Sequence, residues 1–429
     1  MKVLQILVLL GYRFACDFAN KITLDIRFRK MERFFISVSN GKESILPCKK
    51  LPILEQQISL MKFFMRLQTI ARLFLCAVLL WRTVAAFETD QYNLPPQPLA
   101  DIGDEVSEYA EQNLRKAIDK INAEITARQF CLENTAVKLK KVKCDSPDRE
   151  RAKLEFLRSN DAVAREVYNL LGSGFIPFTK SGTWMDSHQF KAQPARYKTS
   201  YSKSIFLVTP TDYLTISPTV NIYESQFGTD KIAHFFQQGY SYYKIYKRAT
   251  AKGFAPAEAA QKAIRWGQMT EQTFYGTLIS GVYSNADLCA NYAGMKFYQN
   301  LTQPIKIGDV VKPAILLLKE GIWTFDENAD LRKVLIKPFL SNHFNEALNP
   351  SIFTRSFGLR SYVRRTVRKR SCKQWFNQYP NLSQADLNET SQALKLWYDE
   401  DYGFTDSKHF ITISNTCFGD KDAVVDQSD

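Results

Sequence analysis

The chain has 429 residues, 45% of them hydrophobic and 24% charged, with a formal net charge of +13. That composition excludes a wholly disordered, collagen-like or polytopic membrane protein, and the length allows one large domain or two ordinary ones. The charge alone points to nucleic acid or an anionic membrane, so its distribution along the chain decides how it is read.

Residues 61–86 open on Met61, carry cations at Lys62, Arg66 and Arg72, run apolar over 73–81 and close on Val84-Ala85-Ala86. These are the three regions of a secretory signal, and the apolar run is short for a bilayer span. Residues 1–60 then read as an over-extended start, with translation from Met61 or Met65, or as a pro-segment. Residues 1–86 contain 14 Lys+Arg and 5 Asp+Glu, against 43 and 39 in the remainder. Most of the positive charge therefore leaves with the leader, and nucleic acid is not an expected partner. The expected protein is exported, periplasmic or secreted, with no transmembrane span in 87–429, where no 18-residue apolar run occurs.

Residues 87–100 contain Pro95, Pro96 and Pro98 and read as an extended linker. Over 101–175 two helices are expected as a hairpin. The first, about 104–130, places Leu114, Ile118, Ile121 and Ile125 on one face; the second, about 148–171, places Leu154, Leu157, Val163, Val167 and Leu170 together and stops at Gly172 and Gly174. Five cysteines follow the leader. In an oxidising compartment Cys131 with Cys144 and Cys372 with Cys417 are candidate disulfides and Cys289 is left free, although spacing leaves the connectivity open.

Residues 176–320 read as the core. Enrichment in aromatic and β-branched residues around 197–222 predicts a small extended or β portion, broken by Pro210 and Pro218. Helical signals resume from Gly228 to about Leu301, again over 311–320, and at 393–397. The fold class is thus mainly α: a soluble multi-helix bundle with a small β portion.

Within the core, Thr229 is positioned to cap a helix on which Asp230 and His234, four apart, share a face. Downstream lie Glu271 and then Ser284-Asn285-Ala286-Asp287-Leu288-Cys289-Ala290-Asn291, where Asp287 and Asn291 repeat the four-residue spacing. Ser284-x-x-Asp287 is also the spacing of a helix-capping motif. Two readings stay open. Asp230, His234, Glu271 and Asp287 suit a divalent metal ion, with His234, Glu271 and Asp287 as candidate catalytic groups and Lys231 and Asn291 as ligand-binding groups. The same residues suit a charge-paired network around Lys231 that orders the helices and performs no chemistry. Nucleophile elbows, His-Glu-x-x-His, Walker loops and dinucleotide fingerprints are absent.

Taken together, Asp230-Lys231-x-x-His234-Phe235, Glu271 and Ser284-x-x-Asp287-x-x-x-Asn291-x-x-Gly294 resemble a pattern of the VanZ-like proteins. They also resemble predicted periplasmic bacterial proteins of unknown function that share the Asp-Lys-x-x-His and Asp-x-x-x-Asn elements. The resemblance covers only about residues 228–298. It implies that Asp230, Lys231, His234, Glu271, Asp287, Asn291 and Gly294 belong to one site. VanZ-like proteins resemble membrane-embedded bundles, whereas Gln237, Gln238, Lys244, Lys247 and Arg248 interrupt the corresponding helix here, so the resemblance implies a soluble or peripheral version and names no reaction.

Residues 321–429 form a C-terminal region with a basic run and an acidic tail. Arg360, Arg364, Arg365, Arg368, Lys369 and Arg370, with Arg355 and Lys373 flanking, suit an anionic envelope lipid or glycan, or else a solvated face balanced by acids such as Glu400, Asp401 and Asp406. The expected protein is envelope-associated, with a polar helix–helix site that orders the fold or binds a ligand. The rival is a metal-dependent hydrolase of a phosphate- or glycan-bearing substrate, which requires Asp230, His234 and Asp287 to converge on a solvent-reachable pocket.

Overall fold

A computed structural model describes residues 88–133, 144–174, 179–273, 276–277, 281–326, 329–354 and 358–418. The signal segment, residues 1–60, Arg355 and the end of the acidic tail lie outside the described residues.

Helix α1 (Gly103–Glu133) starts where the Asp101 carboxylate accepts the Gly103 N–H at 2.7 Å, and Asp104 and Glu105 oppose the positive end of its dipole. Its expected face is buried: Leu114, Ile118, Ile121 and Ile125 are each 3% exposed or less. Burial of each such side chain stabilises by about 1.5–3 kcal/mol. The second helix of the hairpin is not continuous. Ser159 ends α2 (Pro147–Leu157) and caps α3 (Asn160–Val167) by accepting the Ala162 N–H, and a π turn, Tyr168–Gly172, follows. Both pieces pack on α1, and the Cys131–Cys144 disulfide ties their connection. After the short α4 (Lys180–Ser187) comes the β portion. β1 (Arg196–Tyr197), β2 (Thr219–Ile222) and β3 (Ser225–Gly228) form one antiparallel sheet in that order, whereas residues 205–208 turn instead of pairing.

The 87–100 segment is extended, and its first half is buried. Ser217 N–H donates to the Glu88 carbonyl at 2.9 Å, Thr89 bridges to Ser217, and the Tyr92 hydroxyl reaches the Ile411 carbonyl. This anchoring carries Glu88 and Thr89 to the end of β3.

From β3 the chain enters α5 (Asp230–Ala233), a π turn (His234–Gln238) and α6 (Gly239–Thr250), one continuous helix interrupted by a single wide turn. Helix α7 (Pro256–Gln272) returns beside α6. Strand β4 (Val282–Ser284) leads into α8 (Asn285–Asn300), which is buried along nearly its whole length against the π turn and α6. Backbone contact between these helices depends on two glycines. A Cβ on Gly239 would stand 2.6 Å from the Gly294 Cα, and one on Gly294 would fall on the Phe235 carbonyl oxygen. Gly294→Ala is therefore expected to push α8 away from the π turn and cost about 1–3 kcal/mol, read as a lowered denaturant midpoint in an unfolding titration.

Residues 311–320, expected to be helical, are strands. Hairpins β5 (Ile305–Ile307) with β6 (Val310–Lys312) and β7 (Leu316–Lys319) with β8 (Ile322–Phe325) occupy this region. The second turns on Glu320 and Gly321, both at positive φ (53° and 79°), the backbone a two-residue hairpin turn demands and a helix forbids. Strand β9 (Ser351–Phe353) pairs antiparallel with β4, Ser351 opposite Ser284, and brings the preceding loop to the start of α8. Helices α9 (Leu359–Thr366), α10 (Cys372–Gln378), α11 (Gln384–Ala393) and α12 (Ile413–Cys417) follow in the last described segment, and Cys372–Cys417 is the second disulfide. Helix α11 ends at Ala393, and residues 397–400 form a tight turn with Tyr398 and Asp399 at positive φ, not a helix. The architecture is mainly α with short antiparallel strand pairs. No described helix is long and apolar enough to cross a membrane.

Candidate functional site

Lys231 is fully buried, and its ammonium group lies between three carboxylates: Asp230 Oδ2 at 2.6 Å, Asp287 Oδ1 at 2.6 Å and Glu346 Oε1 at 2.5 Å. Burial works against its charge, but the carboxylates outweigh burial and hold its pKa well above the ordinary lysine value. The ammonium group donates a hydrogen bond to Asp230 Oδ2, whereas Asp287 Oδ1 is held as an ion pair without hydrogen-bond geometry.

Each carboxylate is fixed by its own element. Thr89 donates to Asp230 Oδ1 at 2.8 Å, an approach possible because Gly228 has no side chain: a Cβ there would fall on the Thr89 hydroxyl. Ser284 caps α8 by accepting the Asp287 N–H at 3.1 Å, as the capping spacing suggested. Its hydroxyl proton goes to Glu346 Oε1 at 2.7 Å, so one serine starts the helix and orients a ligand of the lysine. Ser351 holds the other oxygen of Glu346 at 2.6 Å. Thr229 does not cap α5. Its hydroxyl donates to Asp186 Oδ1 at 2.9 Å, which ties α4 to the site.

A second group shares Asp287. Carboxylate oxygens of Glu88, Glu271 and Asp287 lie within 4.8 Å of one another, as do those of Asp230, Asp287 and Glu346. Glu271 Oε1 accepts the Ser284 N–H at 3.1 Å. Among the described residues no hydrogen bond reaches the Glu88 carboxyl group, which is 4% exposed. Burial, then the charges of Asp287 and Glu346, push Glu88 well above the ordinary carboxylate pKa; burial, then Asp287, do the same to Glu271. Glu346 is also raised by burial, with Lys231 pulling the other way. Five carboxyl groups thus crowd one ammonium group, and among the described residues Glu88 and Glu271 form no ion pair.

His234 connects the two helices. Its Nδ1 lies 3.1 Å from Asn291 Oδ1 and its Nε2 lies 3.5 Å from Asp287 Oδ2. Both ring nitrogens face oxygen atoms, Nδ1 that of the Asn291 amide and Nε2 that of the Asp287 carboxylate. The structure therefore brings together Asp230, Lys231, His234, Glu271, Asp287 and Asn291. It places Lys231 at the cation position of Asp230, whose two oxygens are both engaged. Cys289 is buried, and burial pushes its thiol well above the ordinary value, so no thiolate nucleophile is available there.

Sequence reasoning missed Glu88 and Glu346. Glu88 lies in the stretch read as a linker beside the leader, and Glu346 lies in the region read only for its charge runs. The available signal was the company each keeps: Glu88 precedes Thr89-Asp90, and Glu346 sits in Phe344-Asn345-Glu346-Ala347-Leu348-Asn349-Pro350, an isolated acid in a segment without other charges.

No protein family, curated protein or solved structure matched this chain. The chemistry of the cluster must therefore carry its functional reading. Every charged member is 4% exposed or less, as inaccessible as the surrounding core. Such a site can hold an ion or a proton and can order the segments that supply it. A hydrolase acting on a phosphate or glycan chain needs a solvent-reachable site, whereas the described members of this cluster are buried.

Proposed function

We propose that this is an exported binding or structural protein whose buried cluster orders the fold through two cations: the Lys231 ammonium and a divalent metal ion held by Glu88, Glu271 and Asp287. The observation that carries this reading is the pair of carboxylate triads sharing Asp287, one with its own ammonium group and the other made only of acids. Hard divalent ions bind carboxylate oxygens at about 2.0–2.6 Å, so oxygens on opposite sides of one ion stand about 4–5 Å apart. The spacing within 4.8 Å meets that requirement. Oxygen ligands favour calcium, magnesium or manganese.

Export is supported by the two disulfides, which persist in oxidising compartments, and by the leader-like segment before Glu88. Association with an anionic envelope surface is supported by α9 and the π turn after it. Leu359, Val363 and Val367 point inward while Arg365, Lys369 and Arg370 stay exposed.

Calorimetric titration of chelator-treated protein with Mn2+ or Ca2+ is expected to give one site per chain. Glu88→Gln with Glu271→Gln should abolish it, and Arg365→Gln should leave it intact. In chelator at neutral pH the double variant should melt above the wild-type protein, because burying glutamine needs neither a buried charge nor the uptake of a proton. Absence of any site, or a site that survives the double change, would contradict the metal reading.

A further inference from the structure

A second site lies on the outer side of α6. Tyr240, Lys244, Lys247 and Arg248 follow the i, i+4, i+7, i+8 spacing of one helix face. Across from them stand Phe156 at the end of α2 and Asp161 and Arg165 on α3. The two walls enclose a cleft of about 600 Å³, within the range of small-ligand sites.

Four cations and one carboxylate line this cleft. Asp161 is committed: it accepts the Tyr243 hydroxyl at 3.2 Å and lies 4.0 Å from the Lys247 ammonium group. Among the described residues no ion pair to a carboxylate is formed by Arg165, Lys244 or Arg248. Two of these are held by rings. The Arg165 guanidinium lies 4.4 Å from the Phe156 ring centre, and the Lys244 ammonium lies 5.0 Å from that of Tyr240, whose ring stacks on Tyr168 at 4.4 Å. Partial burial, then the neighbouring Arg248 charge, push Lys244 below the ordinary lysine value, so the cleft opposes its own charge until an anion enters. An ordinary solvated helix face is convex and mixes its signs. This one is concave, carries excess positive charge and holds two of its four cations over aromatic rings.

We propose that the cleft binds a small polyanion bearing phosphate or sulfate groups, with Arg165 on one wall and Lys244, Lys247 and Arg248 on the other closing around it. Arg165 offers the planar fork that engages two oxygens of such a group, and the lysines act as point charges. The site is separate from the buried cluster and does not depend on how that cluster is read.

The test is calorimetric titration of the full chain with inorganic tripolyphosphate, glucose 1,6-bisphosphate, a sulfated disaccharide and uncharged maltose. Binding of at least one anionic probe is expected, weakening as salt rises, with maltose inert. Lys244→Gln with Arg248→Gln should weaken it by at least tenfold, while Arg365→Gln with Lys369→Gln on the distant basic run leaves it unchanged. All four positions are exposed or partly exposed, and circular dichroism melts confirm that both variants fold. Tighter binding of tripolyphosphate than of the sugar esters assigns a free phosphate chain; the reverse order assigns a phosphorylated or sulfated sugar. No binding of any anionic probe at millimolar concentration, or equal loss in both double variants, overturns the proposal.

Discussion

Methionine in place of Lys231 is expected to destabilise the folded protein by about 3–5 kcal/mol or more and to lower its melting temperature by roughly 10 °C. Methionine fills similar volume, so the loss is not one of packing. The ammonium group contacts Asp230, Asp287 and Glu346 at 2.5–2.6 Å, and its removal leaves three carboxylates facing one another out of water. Breaking a buried pair by deleting one partner costs far more than the pair contributes, because the remaining charge is uncompensated. A second change identifies the cause. Lys231→Met combined with Asp287→Asn should be less destabilised than the sum of the single variants, since Asp287 belongs to both carboxylate groups and its neutralisation relieves each. Differential scanning calorimetry of the three variants measures this coupling. Strict additivity, or a single-variant loss under 1 kcal/mol, would show that the cluster is not held together by its charges.

The second large effect is a pH dependence that divalent metal should reduce. Glu88, Glu271 and Glu346 have folded pKa values raised above the unfolded carboxylate value of about 4.3, and burial raises Asp90 to about 6. In each case the folded state binds a proton that the unfolded state has released, so stability falls as pH rises from the unfolded value through the folded one. Asp90 contributes between about pH 4 and 6. Glu88 and Glu271, held well above the ordinary range, extend the loss upward from there, at about 1.4 kcal/mol per pH unit for each proton bound only in the folded state. Metal-free protein should therefore melt highest in mild acid and lose stability toward neutral pH. An ion bound at Glu88, Glu271 and Asp287 replaces those protons, and at 100 times its dissociation constant it adds about 2.7 kcal/mol. Melting temperatures from pH 5 to 8 should fall in chelator and fall much less in millimolar Mn2+, where the loss from Asp90 below about pH 6 remains. Parallel curves in the two conditions would contradict the account.

Much of this was legible in the sequence because it is local. The spacing of Leu114, Ile118, Ile121 and Ile125 is a statement about one helix, and the structure buries all four. The pairs Asp230/His234 and Asp287/Asn291 are likewise single-helix facts, and Gly294, named beside them, is where the two helices touch. What was not legible depends on distant segments meeting. Glu88 and Glu346 reach the cluster from 143 residues before and 115 residues after Lys231, with no periodicity to announce them. With Glu346 unseen, the sequence left Lys231 open between a ligand-binding group and the centre of a charge-paired network, and could not give the three acids that surround its ammonium group. The stretch 311–320 failed for another reason. Its run of leucines suits either structure, and the decision rests on Glu320 and Gly321 adopting positive φ.

The most direct test is a crystal of the protein grown with Mn2+ and measured for anomalous scattering. One peak per chain is expected, coordinated by Glu88, Glu271 and Asp287 oxygens at about 2.0–2.3 Å, with the Lys231 ammonium still between Asp230, Asp287 and Glu346. No peak at that position, or manganese seated among Asp230, Asp287 and Glu346 with Lys231 displaced, would contradict the two-cation cluster.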